Sequence, residues 1–404
     1  MEYNQTIMES TIAIQSTRKR INSIDILRGL VIILMAIDHI RDMWALEPFA
    51  PENIAETNAG YFFTRLITHF CAPVFVFLAG TSIYLYLQKV KDKNVVSSFL
   101  VKRGLWLIFI EVVIINWAWS WKMIWNSWGF FLQVIWAIGV AMIAMALLIR
   151  LSNKVLLLVS MLIIFGHNLL NAITPNDLGS FDWFWKIFHE QGWIAFTSDN
   201  SFGMYVVYPI LPWIGVMAAG FVFGQVMTWS PEKRIKLLWK LGIGAILLFV
   251  ILRFSNLYGD TGSWETQKNG LFTFMDFLNT QKYPPSLLFL LMTLGPSFLL
   301  LIAFEKWKTR LFDFLKVFGR VPFFFYILHF PVIHFSSMLY FRITEGAWFD
   351  LANSGGPKNW PEYYQPSLLR LYLVWIGIVI FFYFLCKWYN DYKSRKDYWW
   401  LKYI

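Results

Sequence analysis

Leu368–Cys386 reads LLRLYLVWIGIVIFFYFLC, nineteen residues in which Arg370 is the only charge. As a helix this stretch rises about 28 Å, close to the ~30 Å of a bilayer's hydrocarbon core. It has no polar face to turn to water, so it reads as a membrane-crossing helix. Val155–Phe165 and Leu241–Leu252 are apolar runs of the same kind. The 404-residue chain is 57% hydrophobic, 20% aromatic and 15% charged, with mean hydropathy +0.51. Soluble domains carry about 25% charged residues. Too little polar side chain is present to coat a soluble globule of this size, and that class is excluded.

Windows of about 20 apolar residues predict ten spans: 23–44, 61–88, 99–120, 131–150, 154–173, 203–228, 235–253, 284–303, 319–341 and 366–388. The runs are continuous rather than alternating, so strands are not expected. The fold class is an all-α integral membrane protein, a bundle of about ten transmembrane helices. Residues 1–22 flank the polytopic 23–388 domain on one side, and a basic, aromatic tail at 389–404 flanks it on the other. Nothing in residues 1–20 has the pattern of a cleaved leader. Alternate loops hold 24 of the 35 Lys and Arg residues, and basic loops stay cytoplasmic. Both termini are therefore expected in the cytoplasm. The formal charge of +10 is accounted for by topology, and no nucleic-acid partner is expected. Cys71 and Cys386 lie in apolar runs with no metal or disulfide spacing, and no metal is expected.

Ionisable groups inside spans are costly unless they face a cavity or a partner. The first span, Asn22–Trp44, reads NSIDILRGLVIILMAIDHIRDMW, and only Gly29–Ile37 is free of interruption. Asp25 and Arg28 stand three apart at the cytoplasmic end, where the alternatives are a helix-end ion pair and a donor-binding group. His39 lies 11 residues beyond Arg28, roughly 16 Å further along the axis. Asp38 and Asp42 flank it, and Asp42 is placed to orient or charge-stabilise the imidazole. Similar arithmetic puts His69, His167 and His334 in the outer half of the membrane, with His329 nearer the middle. Each alone reads as a hydrogen-bonded core histidine; four at one depth point to a shared hollow. Glu111 is a further buried acid, expected to pair with Arg28, Arg65 or a histidine.

Prolines open or break spans. Lys282-Tyr283-Pro284-Pro285-Ser286 is expected to start the eighth span from outside, with Lys282 and Tyr283 overlooking the outer cavity. Pro209 and Pro212 break the sixth span early, and Pro331 breaks the ninth between His329 and His334. Three outer loops, 174–202, 254–283 and 342–365, are long and aromatic. They fold over a site or form an interfacial belt.

Ser23-Ile24-Asp25-Ile26-Leu27-Arg28-Gly29-Leu30, followed by His39, resembles the first-helix signature of the transmembrane acyltransferase superfamily. Pro73–Leu85 (PVFVFLAGTSIYL) and Ser98–Arg103 (SFLVKR) resemble its second and third helices. YPILPWIGVMAAGFVFG (208–224), KYPPSLLFLLMTLGP (282–296), FGRVPFFFYILHFPVIH (318–334) and DYWWLKYI (397–404) make the chain similar to bacterial relatives of heparan-α-glucosaminide N-acetyltransferase. The resemblance implies transfer of an acyl group, usually acetyl, from cytoplasmic acyl-CoA to an extracytoplasmic sugar or glycan amine or hydroxyl. It also implies a multi-pass protein of the bacterial inner membrane. The superfamily's first-helix histidine maps onto His39. The lysosomal enzyme places its active histidine in the first outer loop, whereas 45–60 holds none here.

On this reading His39 is the general base or the acyl carrier, oriented by Asp38 or Asp42. His69, Lys282 and Tyr283 polarise the carbonyl or hold the acceptor, with His167, His329 and His334 beside them. Arg28 and Arg103 mark the entry of the acyl-CoA arm, and acetyl-CoA or another acyl-CoA is the only co-substrate expected. The alternatives are a proton-coupled secondary transporter or exporter, in which the histidines form a relay, and a purely structural role. The bilayer is a partner in every case, and a homodimer stays open.

Overall fold

The computed structural model describes residues 21–123 and 127–403, with Lys402 described by its backbone only. Apart from Ile21 and Asn22, the expected N-terminal cytoplasmic segment lies outside the described residues. In chain order, α1 (Asn22–Trp44) is followed by α2 (Ala59–Thr68) and α3 (Cys71–Val90), one long rod interrupted at His69 and Phe70. Next, α4 (Lys93–Phe109) continues through a π-helical turn, Ile110–Ile115, into α5 (Asn116–Ser120). Strand β1 (Gly129–Leu132) leads to α6 (Val134–Leu148) and to α7 (Asn153–Gly166), which tightens into a 3₁₀ turn over His167–Ala172. The outer segment after it holds α8 (Asp182–Phe188), β2 (Gly192–Ala195) and β3 (Gly203–Val206). The chain then runs through α9 (Ile210–Gly224), α10 (Pro231–Ser255), α11 (Gly270–Leu278) and α12 (Leu287–Lys306). It ends in α13 (Arg310–Arg320), α14 (Pro322–Glu345) and α15 (Leu368–Arg395).

Seven described helical segments are long and apolar enough to cross a membrane: Ala59–Val90, Asn153–Ala172, Ile210–Thr228, Pro231–Ser255, Leu287–Lys306, Pro322–Glu345 and Leu368–Arg395. The other three of the ten expected spans fall short of that measure for different reasons. α1 carries Asp25, Arg28, Asp38, Arg41 and Asp42. The third is divided by the π-helical turn, and α6 is apolar but only 15 residues long. Several helices start where a side chain caps the first turn: Asn58, Asp92, Ser152, Ser286, Thr309 and Ser367 each accept a backbone N–H.

The structure corrects the all-helical expectation in the outer region. β1, β3 and β2 form a small sheet in that order, parallel between β1 and β3 and antiparallel between β2 and β3. The predicted sixth span therefore loses its first residues to β3. Pro209, which has no N–H to give, stands at the N-cap and the helix begins at Ile210. Lys282 to Pro285 form a turn closed by a bridge, and the eighth span starts only at Leu287. α14 runs unbroken through Pro331; a proline is tolerated in a span where the surrounding bundle satisfies the freed backbone groups.

Backbones meet closely at glycines, as membrane bundles require. A Cβ on Gly319 of α13 would overlap the carbonyl oxygen of Asp25, and one on Gly29 of α1 would overlap that of Leu315. This crossing fixes the end of α1 that carries Arg28. Gly319→Ala should destabilise the protein by about 1–3 kcal/mol through overpacking, read as a lower melting temperature in detergent. An unchanged melting temperature would mean that α13 is free to slide off α1.

Candidate active site

The outer end of α1 is the centre of a buried ionic network. Asp38 accepts from Arg41 Nη1 at 2.8 Å, from Thr68 Oγ1 at 2.7 Å, and pairs with Arg65 Nη1 at 2.9 Å. Lys282 Nζ stands 3.8 Å from the same carboxylate. Arg41 also bonds Asp42 at 3.0 Å, and Arg65 bonds Glu52 at 3.0 Å. Helical spacing puts Asp38 and Arg41 on one face of α1, and Arg65 and Thr68 on one face of α2.

Lys282 is delivered by the outer segment between α10 and α12. Arg253, 2% exposed at the end of α10, donates to the carbonyls of Gly262, Asp276, Phe277 and Asn279 at 2.6–2.9 Å. Asp260 accepts from Gln281 N and Ser286 Oγ, which brackets the 282–285 turn. Tyr283 then packs against Tyr208, ring centroids 5.0 Å apart.

In the first outer loop, burial pushes the Glu47 carboxyl up to about 8, with Arg41 at 3.9 Å offsetting part of that cost. Burial also raises Glu52, but its contact with Arg65 overrides this and holds it below its ordinary value. Folded Glu47 keeps its proton to a higher pH than the unfolded chain. Its contribution is therefore complete below about pH 4.5 and is lost as pH rises towards 8. Glu47→Gln should flatten the fall in melting temperature between pH 5 and pH 8; a slope like that of the unsubstituted protein would remove Glu47 as its source.

A cavity of about 310 Å³ opens on this network, lined by His39, Asp38, Arg41, Asp42, Arg65, Lys282, Tyr283 and Tyr208 among others. A second cavity, of about 400 Å³ and mostly apolar, lies between Arg28 and Arg103. The two share Phe75, Val134 and Tyr326 as wall residues, so they abut. Arg28 donates to Ser82 Oγ at 3.0 Å. Arg103 donates to the carbonyl of Tyr403 and lies over the Phe323 ring at 4.7 Å. A third cavity, about 1500 Å³, lies between the ends of α1, α10, α12 and α13 and touches no histidine.

The histidines do not share one hollow. His39 lines the smaller cavity, with His329 at 5.1 Å, Phe330 at 4.1 Å and Trp119 at 6.0 Å between ring centroids. His69 is buried at the interruption between α2 and α3, its ring 5.4 Å from Phe289, and does not line the cavity. His167 pairs with the outer-loop His189, which donates Nε2–H to the His167 carbonyl at 2.8 Å. His334 faces the Ala118 carbonyl and Asp350, each at 2.9 Å, and so ties α14 to α5 and to an outer loop. Equal depth did not become a shared azimuth, because each helix is rotated to satisfy its own neighbours. The expected orientation of His39 by Asp38 or Asp42 is also absent. Both carboxylates are engaged by cations, and Nδ1 of the His39 ring has no hydrogen-bond partner among the described residues.

Glu111 meets neither an arginine nor a histidine; its Oε2 accepts from Trp136 N at 3.4 Å, beside the π-helical turn. Thr68, Tyr208, Tyr326, Gln133 and Trp119 were not singled out from sequence, and all line the His39 cavity. Arg65 was named only as a partner for Glu111. As a lone charge in an apolar span it carried the same signal as Asp38. Among the described residues, no group of three or more His, Cys, Asp or Glu is placed to hold a metal ion.

A family model described as heparan-alpha-glucosaminide N-acetyltransferase, catalytic, matches residues 20–255. That stretch holds Arg28, Asp38, His39, Asp42, Arg65 and Arg103, and stops short of Lys282 and His329. No curated protein matches the chain. The matched region spans more than half of the chain and contains the ionic network apart from Lys282, with both arginines of the second cavity, so this multi-pass membrane protein belongs to the heparan-alpha-glucosaminide N-acetyltransferase family, a family of membrane acetyltransferases.

Proposed function

We propose that the protein moves an acetyl group from cytoplasmic acetyl-CoA to an amine or hydroxyl of an extracytoplasmic sugar or glycan, with His39 as general base. The observation that carries this reading is the pair of abutting cavities, one at His39 and one between Arg28 and Arg103. A narrow apolar passage suits the pantetheine arm of CoA, and two guanidinium groups suit its phosphates. The acceptor enters from the opposite side. Its N–H or O–H proton passes to His39 as the lone pair attacks the thioester carbonyl. Lys282, Tyr283 and Arg65 supply positive charge and donors for the developing oxyanion. Collapse expels the CoA sulfur, which recovers the proton from His39. In the variant mechanism His39 itself carries the acetyl group between the two half-reactions.

This chemistry is vectorial, and the topology fits it. On this reading α1, Lys93–Ser120 and α6 cross the membrane beside the seven long apolar helices, and an even number of crossings would keep both termini on the side that holds 24 of the 35 Lys and Arg residues. Three of the five charges of α1, Asp25, Asp38 and Arg41, are buried within the bundle. The likeness to bacterial relatives makes a bacterial inner membrane the proposed setting. The family assignment lends nothing to the transporter alternative.

The test uses detergent-purified protein with acetyl-labelled CoA and glucosamine. Labelled N-acetylglucosamine and free CoA should form in equal amounts, and free CoA should compete for donor binding. A folded sample that neither binds acetyl-CoA nor releases CoA would overturn the reading.

A further inference from the structure

A general base needs its tautomer set, and the carboxylates beside His39 are committed elsewhere. Asp38 serves Arg41, Arg65 and Thr68, and Asp42 serves Arg41. The groups facing His39 are Asp38, Arg41 and Asp42 on α1, Arg65 on α2, Lys282 from the outer segment, Trp119 on α5, and His329 and Phe330 on α14. Nδ1 of His39 is buried with no hydrogen-bond partner among the described residues.

His329 offers what is missing. Its Nδ1 lies 2.6 Å from the Tyr326 carbonyl and 3.2 Å from that of Phe325. Carbonyls only accept, so Nδ1 carries the hydrogen and Nε2 of the neutral ring is a lone-pair acceptor. That Nε2 is buried and also has no partner among the described residues. The rings are 5.1 Å apart between centroids, tilted by 57°. Two imidazoles joined head-on by a bond of about 2.9 Å have centroids about 5 Å apart once a ring radius is added at each end. The centroid spacing is that of such a pair, which needs the His39 ring turned so that its Nδ1 meets Nε2 of His329.

We propose that His329 is the positioning residue of His39: its Nε2 accepts the Nδ1–H of His39 and thereby presents Nε2 of His39 to the cavity as the base. This rests on the acetyl-transfer reading and deepens it. When the acceptor's proton arrives at Nε2, His39 becomes an imidazolium that still donates Nδ1–H to His329. His329 stays neutral, because its own Nδ1–H remains on the Tyr326 carbonyl. Collapse of the tetrahedral species returns the proton from His39 to the CoA sulfur. Every proton is accounted for without a carboxylate.

Two measurements on the full chain test this. The ¹⁵N spectrum of histidine-labelled protein, with His39→Ala for assignment, should show His39 as the Nδ1–H tautomer. A wild-type His39 in the Nε2–H form would overturn the proposal, whether or not acetyl transfer is detected. His329→Phe keeps a ring but removes the acceptor. It should lower kcat for glucosamine acetylation by about 100-fold, leave KM for acetyl-CoA within about twofold of wild type, and shift the acidic limb of the pH–rate profile. His329→Gln, whose amide oxygen accepts, should recover most of the rate. A folded His329→Phe protein with unchanged kcat and pH profile would also overturn it. If the wild type forms no acetylated sugar yet His39 holds the Nδ1–H form, the acetyl-transfer reading falls and the pairing stands.

Discussion

If the proposed function holds, His39→Ala should lower acetyl transfer to glucosamine by about 10²–10⁴-fold, the range that a positioned general base supplies, while acetyl-CoA still binds. The expectation follows from where the ring sits and what it does not do. His39 lines the cavity and its Nδ1 has no partner among the described residues, so its removal forfeits at most the single bond proposed to His329. A loss of rate without a loss of melting temperature is therefore the signature of chemistry. His334→Ala should show the reverse, because that ring clasps Ala118 and Asp350 and has no place in the cavity lining. The acyl-carrier variant is separable in the same experiment. A histidine that accepts acetyl releases one equivalent of CoA in a burst before any acceptor is added, whereas a pure base releases none. Unchanged transfer by a folded His39→Ala protein would remove His39 from the reaction.

The location of this site was legible for a simple reason. Charge in hydrocarbon is expensive, so Asp38, Asp42 and His39 stood out against Gly29–Ile37, and Lys282 stood out beside its prolines. Partner choice was not legible. Whether Asp38 faces His39 or Arg65 depends on the rotation of α1 against α2, and sequence spacing gives depth without azimuth. The same ignorance made four histidines at one height look like one cluster. Tyr208, Tyr283 and Tyr326 are spread across the chain and resemble any interfacial aromatic until α9, the outer turn and α14 meet. The sheet escaped notice because its strands are four residues each, too short for a two-residue alternation to stand out in an aromatic loop. Arg253 is the reverse case: its four carbonyl partners are Gly262, Asn279 and the last turn of α11 at Asp276 and Phe277, where no charge pattern announces them.

Asp38→Asn should cost about 3–5 kcal/mol of stability, the penalty for removing one partner from a buried ion pair. Three cations converge on this carboxylate and do not depend on it equally. Arg41 keeps Asp42 at 3.0 Å, and Arg65 keeps Glu52 at 3.0 Å. Lys282, buried and 3.8 Å from Asp38, has no other ion pair among the described residues. Most of the unbalanced charge therefore falls on Lys282, the residue that the outer turn delivers to the cavity. Two consequences follow from that asymmetry. Combining Asp38→Asn with Lys282→Met should recover part of the lost stability, a coupling of about 0.5–3 kcal/mol for residues in one network. Combining it with Glu52→Gln should instead make matters worse, since Arg65 then loses both of its anions. Melting temperatures of the four proteins in one detergent at pH 7 decide the matter. If Lys282→Met gives no recovery, the lysine is solvated through the cavity. Its charge would then be available to the reaction and not tied up in holding α1 to the outer turn.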